Sequence, residues 1–197
     1  MMNFGTETTT AAMTNAIFLL YSNPAILQKL SLERYNVVPA DTIPTYDKVS
    51  RFPYLRACIE EPRRVSPARS FGLPIIVPKG GKEIAGRLPE GVIVSVPTYS
   101  LLRGGVVLKD ASEYIPNRWL TDDLEEKKKM LNNHMSFSTG PRACIGRNIA
   151  YFEQTVVIAT IVKVFGGKLN DGFQPETQEQ FNSNPGELLM GITRRLF

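Results

Sequence analysis

The chain has 197 residues, 43% hydrophobic and 21% charged, with a formal net charge of +4, enough for one domain with a substantial core. Two cysteines, Cys58 and Cys144, exclude a disulfide framework and fit a reducing compartment. The mild positive charge lacks the clustered basic and aromatic pattern of a nucleic-acid surface, so no nucleic-acid partner is expected.

No uninterrupted apolar stretch reaches bilayer-spanning length, and Met1-Met2-Asn3-Phe4 leads into a polar Thr-rich segment rather than a signal peptide. Residues 6–20 gain apolar side chains toward their C-terminal end, which predicts a helix that becomes buried as it proceeds. Ser22-Asn23-Pro24 reads as a stop and a fresh start, with Asn23 as N-cap and Pro24 at the first position of a second helix. Leu27, Leu30 and Leu32 are its expected inner face. Residues 36–46 are rich in Pro and turn formers and read as a loop.

A helix is expected over 46–65, carrying Val49, Tyr54, Leu55 and Cys58 inward. Pro62 lies inside it, lacks an N–H and faces the carbonyl of Cys58, which costs about 3 kcal/mol unless the helix bends. A kink between Cys58 and Pro62 is therefore expected. Residues 71–100 change to short β-rich runs, Ile75-Ile76-Val77 and Val92-Ile93-Val94, parted by Gly and Pro turns such as Gly80-Gly81. Residues 110–135 read as irregular; Lys127 to Lys129 form a solvated helix face or loop, and His134 a solvated loop residue. Residues 145–165 carry Ile145, Ile149, Phe152, Val156, Ala159 and Val162 at helical spacing, with Gly166-Gly167 as the stop. The tail, 168–197, reads as a small β unit. No zinc-type Cys/His spacing, phosphate-cradling Gly-rich loop or nucleophile elbow is present.

The chemistry is concentrated in residues 137–146, Phe-Ser-Thr-Gly-Pro-Arg-Ala-Cys-Ile-Gly. Cys144 stands in a tight Gly/Pro turn with Arg142 two residues before it and a helical run after it. Backbone N–H groups, a helix N-terminus and a cation all favour a thiolate, the charge state a soft metal ligand needs. The plainer reading is a small structural core cysteine beside a helix cap.

The string fits Phe-x-x-Gly-x-Arg-x-Cys-x-Gly at Phe137, Gly140, Arg142, Cys144 and Gly146, and so resembles the heme-thiolate monooxygenases of the cytochrome P450 family. Three further segments resemble the family in the same order. Phe4-Gly-Thr-Glu-Thr-Thr9 is similar to its distal-helix signature, with Phe4 where the family prefers Ala or Gly. The resemblance gives Glu7 and Thr8 a catalytic role, the alcohol hydrogen-bonding dioxygen and the carboxylate relaying protons. Residues 60–67, Glu-Glu-Pro-Arg-Arg-Val-Ser-Pro, hold two Glu-x-x-Arg registers, and the distance to Pro67 selects Glu61 and Arg64. Pro116-Asn117-Arg118-Trp119 supplies the arginine that completes the family's structural triad. An isolated Glu-x-x-Arg is ordinarily a solvated pair worth a few tenths of a kcal/mol.

The resemblance along 89–120 is loosely to fungal members related to benzoate para-hydroxylase. Leu102-Arg103-Gly104-Gly105 stands where relatives carry His-Arg-Asp-Pro, and Ile75 where many have a basic residue facing a heme propionate, which leaves Arg142 as the propionate partner.

The resemblance implies a mainly α fold with a small β region, heme b (iron protoporphyrin IX) held by Cys144, an NADPH-dependent reductase as electron donor, and a small apolar or aromatic organic substrate receiving one oxygen atom from dioxygen. Eukaryotic relatives are anchored at the endoplasmic reticulum membrane. The chain matches only the C-terminal portion of such a protein, whose remainder would be about 300 residues. The alternative is a truncated, non-catalytic heme-binding or interaction remnant.

Overall fold

The computed structural model describes residues 3–35, 38, 42–104, 108–179 and 182–195, with the side chains of residues 3, 4, 34 and 35 outside the described set. Helix α1 (Asn3–Tyr21) buries Ala11, Ala12, Ala16 and Leu20 along one stripe. The side chain of Asn23 turns backward, its Nδ2 donating to the carbonyl of Leu19 at 2.8 Å, so it closes α1. Only its backbone carbonyl opens α2 (Pro24–Tyr35), accepting from the N–H of Leu27 at 3.0 Å. Leu30 is buried in α2, but Leu32 is exposed. Two positions along a helix is a turn of about 200°, which carries Leu32 to the opposite face. Much of the predicted 36–46 loop lies outside the described residues.

The single helix expected over 46–65 is two, α3 (Tyr46–Val49) and α4 (Pro53–Val65). Pro53 forces the residue before it out of the helical region, and Phe52 is extended, with φ −78° and ψ 110°. Val49, Tyr54, Leu55 and Cys58 are all buried. Helix α4 runs through Pro62. The Cys58 carbonyl that Pro62 cannot serve accepts instead from the hydroxyl of Tyr114 at 3.4 Å. Burial of that hydroxyl pushes its pKa well above the ordinary tyrosine range, so it remains a donor at any physiological pH. Tyr114→Phe is expected to orphan this carbonyl and cost about 1–3 kcal/mol in urea unfolding; an unchanged midpoint would mean the proline is accommodated another way.

Two antiparallel pairs follow: β1 (Ile75–Ile76) with β4 (Ile93–Val94), and β2 (Lys82–Glu83) with β3 (Arg87–Leu88). Beyond α5 (Thr98–Leu102), the stretch expected to be irregular contains a 3₁₀ turn (Pro116–Leu120) and α6 (Leu124–Asn133). The missed signal is Asp123, whose carboxylate accepts from the N–H groups of Glu125 and Glu126 and starts α6 as an N-cap.

Helix α7 (Arg147–Val164) buries Ala150, Tyr151, Gln154, Ile158, Ala159 and Val162. The expected inner face is correct at its C-terminal end, at Ala159 and Val162. At the other end Ile145, Ile149 and Phe152 are exposed, because the polar Gln154 and the ring of Tyr151 take the inward positions. Helix α7 ends at Val164, just before Gly166-Gly167 as expected, and the two glycines then lie inside β5 (Phe165–Leu169), which pairs with β8 (Met190–Arg194). A Cβ on Gly167 would stand 2.8 Å from the Tyr21 ring and 2.6 Å from Met190, so glycine lets β5 lie directly on α1. Strands β6 (Gln178–Glu179) and β7 (Ser183–Asn184) complete the tail.

The architecture is mainly helical with small antiparallel pairs. Leu20, Leu30, Leu55, Ile59, Ile158 and Val162 join α1, α2, α4 and α7 in one core, each side chain worth about 1.5–3 kcal/mol of burial. Ala57, Leu108, Ala111, Trp119 and Met130 form a second cluster beneath the 108–119 segment. Among the described residues no helix is long and apolar enough to cross a membrane.

Candidate functional site

The cysteine turn is shaped by two residues in the left-handed region, Ser138 (φ 59°) and Gly140 (φ 72°). Glycine adopts that conformation without Cβ strain, which accounts for Gly140. The reversal lets the N–H of Cys144 donate to the carbonyl of Phe137 at 2.9 Å. Cys144 and Arg142 are exposed on the turn, and α7 begins three residues after the cysteine. Gly146 caps that helix; a Cβ there would make only ordinary contact with Cys144 Sγ, at 3.8 Å.

A cleft of about 410 Å³ lies between this turn and α1. Phe137, Arg142 and Cys144 line one side, and Thr8, Thr9 and Ala12 the other. Leu73, Ile75 and Val96 from the β1 and β4 region, with Ala150 of α7, supply apolar wall. Thr8 and Cys144 thus reach one cavity from distant parts of the chain. Glu7 does not line it. Its carboxylate is exposed and accepts from Asn182 Nδ2 at 3.1 Å. Adjacent helical residues point about 100° apart; Thr8 and Thr9 both reach the cleft, and Glu7, on the other side of Thr8, faces outward.

Glu61, Arg64 and Arg118 meet around one buried carboxylate. Arg64 donates from Nε and Nη2 to the two oxygens of Glu61 at 2.9 and 2.8 Å, and Arg118 from Nε at 2.9 Å. The indole N–H of Trp119 and the backbone N–H of Ile115 complete the shell at 2.8 and 3.0 Å. Glu61 and Arg64 are 0% and 1% exposed. Arg64 also donates to the carbonyls of Leu102, Ala111 and Glu113, and Arg118 to those of Lys109 and Asp110. The cluster thereby ties the 108–119 segment to α4.

The second register is occupied as well. Glu60 and Arg63 point about 100° away from their neighbours, toward α7 and the cysteine turn. Glu60 pairs with Arg56 at 2.7 Å and Arg63 at 3.3 Å and accepts from the Tyr151 hydroxyl at 2.8 Å. Arg63, 4% exposed, donates to Gln154 Oε1 at 3.0 Å and lies over the Tyr151 ring at 3.9 Å. Burial pushes the Glu60 carboxyl upward, but Arg63, His134, Arg56 and the Tyr151 hydroxyl outweigh it and hold it below the usual range. Arg63 itself is pulled down by burial. Selecting one Glu-x-x-Arg from the sequence hid this network; Gln154 on the buried stripe of α7 was the available signal.

His134 belongs to the same network and is not the solvated loop residue expected. It caps α6, packs edge-on against Trp119 at 4.7 Å, and shares a hydrogen bond with Ser136 Oγ at 3.0 Å. Ser136 Oγ in turn donates to the carbonyl of Arg63 at 3.2 Å, joining the cysteine turn to α4. Burial lowers the His134 pKa to about 4. An unfolded histidine binds its proton near pH 6.5, so between those values the unfolded chain holds more protons and stability falls as pH falls, by about 1.4 kcal/mol per pH unit. His134→Gln should flatten the urea-midpoint profile between pH 6.5 and 4; an unchanged slope would assign it to Glu60 or other carboxylates.

A family model described as Cytochrome P450 matches residues 1–194. The chain is 36% identical over 168 residues to "Cytochrome P450 monooxygenase efuB" of Hormonema carpetanum, covering 85% of this chain and 33% of that protein. It is 32% identical over 196 residues to "Benzoate 4-monooxygenase bphA" of Aspergillus niger, covering 97% and 38%. Its fold superposes with a TM-score of 0.85 on the heme domain of a cytochrome P450DA mutant, at 21% identity, over 96% of this chain and 42% of that one. The chain thus spans about a third of the length of these curated relatives.

Proposed function

The chain belongs to the cytochrome P450 family, and from that premise we propose that residues 1–197 are the C-terminal portion of a heme-thiolate monooxygenase with Cys144 as axial ligand. The observation that carries this reading is the single cleft holding Cys144, Arg142 and Phe137 opposite Thr8. The residues present fit heme b. The walls at Ala12, Leu73, Val96 and Ala150 are apolar, as a porphyrin plane requires, an exposed thiol stands at one side, and Arg142 offers a planar donor pair to a carboxylate. When bound, heme supplies the activation of dioxygen, and thiolate ligation favours O–O cleavage.

The chain's own residues position and protonate. Gly140 and the Phe137 carbonyl hold the turn that presents Sγ, and Gly146 keeps the entry to α7 slim beside the sulfur. Thr8 holds a proton at Oγ1 over the cleft, while the exposed Glu7, bound to Asn182 outside it, is the group that meets water. Glu61, Arg64 and Arg118 carry no chemistry; they fix the 108–119 segment against α4. The electron donor is an NADPH-dependent reductase and the substrate a small apolar or aromatic molecule, a class supported by the apolar walls and the likeness to the benzoate 4-monooxygenase. By the same family resemblance the full protein works at the endoplasmic reticulum membrane.

Heme reconstitution of the purified chain, followed by a reduced carbon-monoxide difference spectrum, tests the reading. Heme uptake with a thiolate-type Soret band is expected. Failure to take up heme would favour a non-catalytic interaction remnant, a reading to which the exposed Ile145, Ile149 and Phe152 lend support.

A further inference from the structure

We propose that Arg63 is a fixed positive charge behind the cysteine turn that favours the reduced, more negative state of a redox group in the cleft, an inference that rests on the heme site proposed above. Arg63 stands on α4, lines the cleft together with Phe137 and Cys144, and is 4% exposed. Its guanidinium lies over the Tyr151 ring at 3.9 Å and the Phe137 ring at 4.9 Å. The Phe137 carbonyl accepts the Cys144 N–H, and Ser136 Oγ donates to the Arg63 carbonyl. The charge and the turn are therefore fixed to each other.

Packing alone does not account for an arginine here. Nη1 donates to Glu60 at 3.3 Å and Nη2 to Gln154 at 3.0 Å, but Nε is buried with no acceptor among the described residues. Burial works against the charged form, and an apolar side chain of similar length would cover both rings without that penalty. With both terminal nitrogens committed, Arg63 has no free fork for a carboxylate; what it offers the cleft is charge. That charge is not cancelled locally. Arg56, Arg63 and Arg147 surround the Tyr151 ring at 3.6, 3.9 and 5.7 Å, whereas Glu60 is the one carboxylate bonded to the Tyr151 hydroxyl among the described residues. His134, with its pKa lowered to about 4, is neutral at pH 7. Arg56 and Arg147 are exposed and screened by solvent, which leaves Arg63 as the unscreened member. A unit charge acting over about 10 Å at an effective dielectric of about 20 shifts a one-electron equilibrium about tenfold.

The test loads the 197-residue chain and three variants with hemin and titrates each with dithionite against a redox dye. Dithionite donates one electron to the iron, and no covalent bond changes. Arg63→Met removes the charge and keeps an apolar cover for the rings, Arg63→Lys keeps the charge, and Glu60→Gln removes the opposing carboxylate. Circular dichroism confirms folding, and Arg63→Gln takes the place of Arg63→Met if that variant does not fold. Arg63→Met should move the ferric-to-ferrous ratio about tenfold toward ferric at a fixed dye potential, about 59 mV for a one-electron couple. Arg63→Lys should stay near wild type, and Glu60→Gln should move the ratio the opposite way. A residue that only packs gives Arg63→Met near wild type, or all variants displaced in one direction; either result overturns the proposal. A chain that takes up no hemin would sink the heme reading, and the same field is then read with the anionic dye anilinonaphthalene sulfonate against neutral N-phenylnaphthylamine. Arg63→Met should weaken the anion about tenfold and leave the neutral dye unchanged. No loss, or an equal loss of both dyes, overturns the proposal, and a wild-type chain that binds neither hemin nor the anionic dye overturns both readings.

Discussion

Arg64→Ala is expected to destabilise the chain by about 3–5 kcal/mol, the loss typical when one partner of a buried ion pair is removed. Domains of this size are stable by about 5–15 kcal/mol, so the variant should be largely unfolded in mild urea and should retain no heme on reconstitution. The reason is what remains behind. Glu61, fully buried, would keep Arg118, Trp119 and Ile115 but lose two donors at 2.9 and 2.8 Å. The carbonyls of Leu102, Ala111 and Glu113 would lose theirs together. Arg64→Lys should rescue little, since the three N–H donors of an ammonium cannot replace the five hydrogen bonds made by the guanidinium fork. Normal stability and heme content in Arg64→Ala would remove the scaffold role assigned to the cluster.

The helical framework was legible where apolar spacing and turn formers agreed. α1, α4 and the C-terminal half of α7 follow the pattern because their stripes face one another across the core. Two failures share a cause: a local polar contact overrode the apolar count. Asp123 nucleates α6 by bonding two N–H groups, although residues 110–135 carry little hydrophobic periodicity. In the first turns of α7, Gln154 and Tyr151 point inward because Arg63 and Glu60 wait for them, so Ile149 and Phe152 are turned outward. Gly166-Gly167 follows the end of α7 at Val164 as its turn-forming character suggests, and the close approach of the Tyr21 ring gives Gly167 a packing role that spacing alone does not display.

The residues of the site were readable one motif at a time, but their company was not. The sequence spacing of Glu61, Arg64 and Arg118 contains no hint that Trp119 bonds the same carboxylate. Nor does an adjacent Glu-Thr pair reveal which member faces a cavity; here Thr8 does and Glu7 does not. The distance to Pro67 selects Glu61 and Arg64 and passes over the second Glu-x-x-Arg, yet His134, Ser136 and Phe137 all make contact with it. Side chains distant in sequence make these links, so only the folded chain displays them.

Cys144→His should leave folding intact and change the spectrum completely. Cys144 is exposed, so its replacement leaves the core undisturbed, and stability should move by no more than about 0.5 kcal/mol. In the heme-loaded, reduced, carbon-monoxide-treated chain, the thiolate-type Soret band should give way to an imidazole type, because the axial donor changes from a charged sulfur to a neutral nitrogen. The chain's other cysteine provides the control. Burial pushes the Cys58 thiol up to about 12, aided by the Glu33 charge and only partly countered by Tyr114 and Lys29. A thiol that stays protonated at neutral pH is a poor metal ligand, and Cys58 lies wholly inside the α1–α2–α4–α7 core. Cys58→Ala should therefore keep the thiolate band at some cost in stability. If instead the band survives in Cys144→His and disappears in Cys58→Ala, the cleft beside the cysteine turn is not where the iron is held.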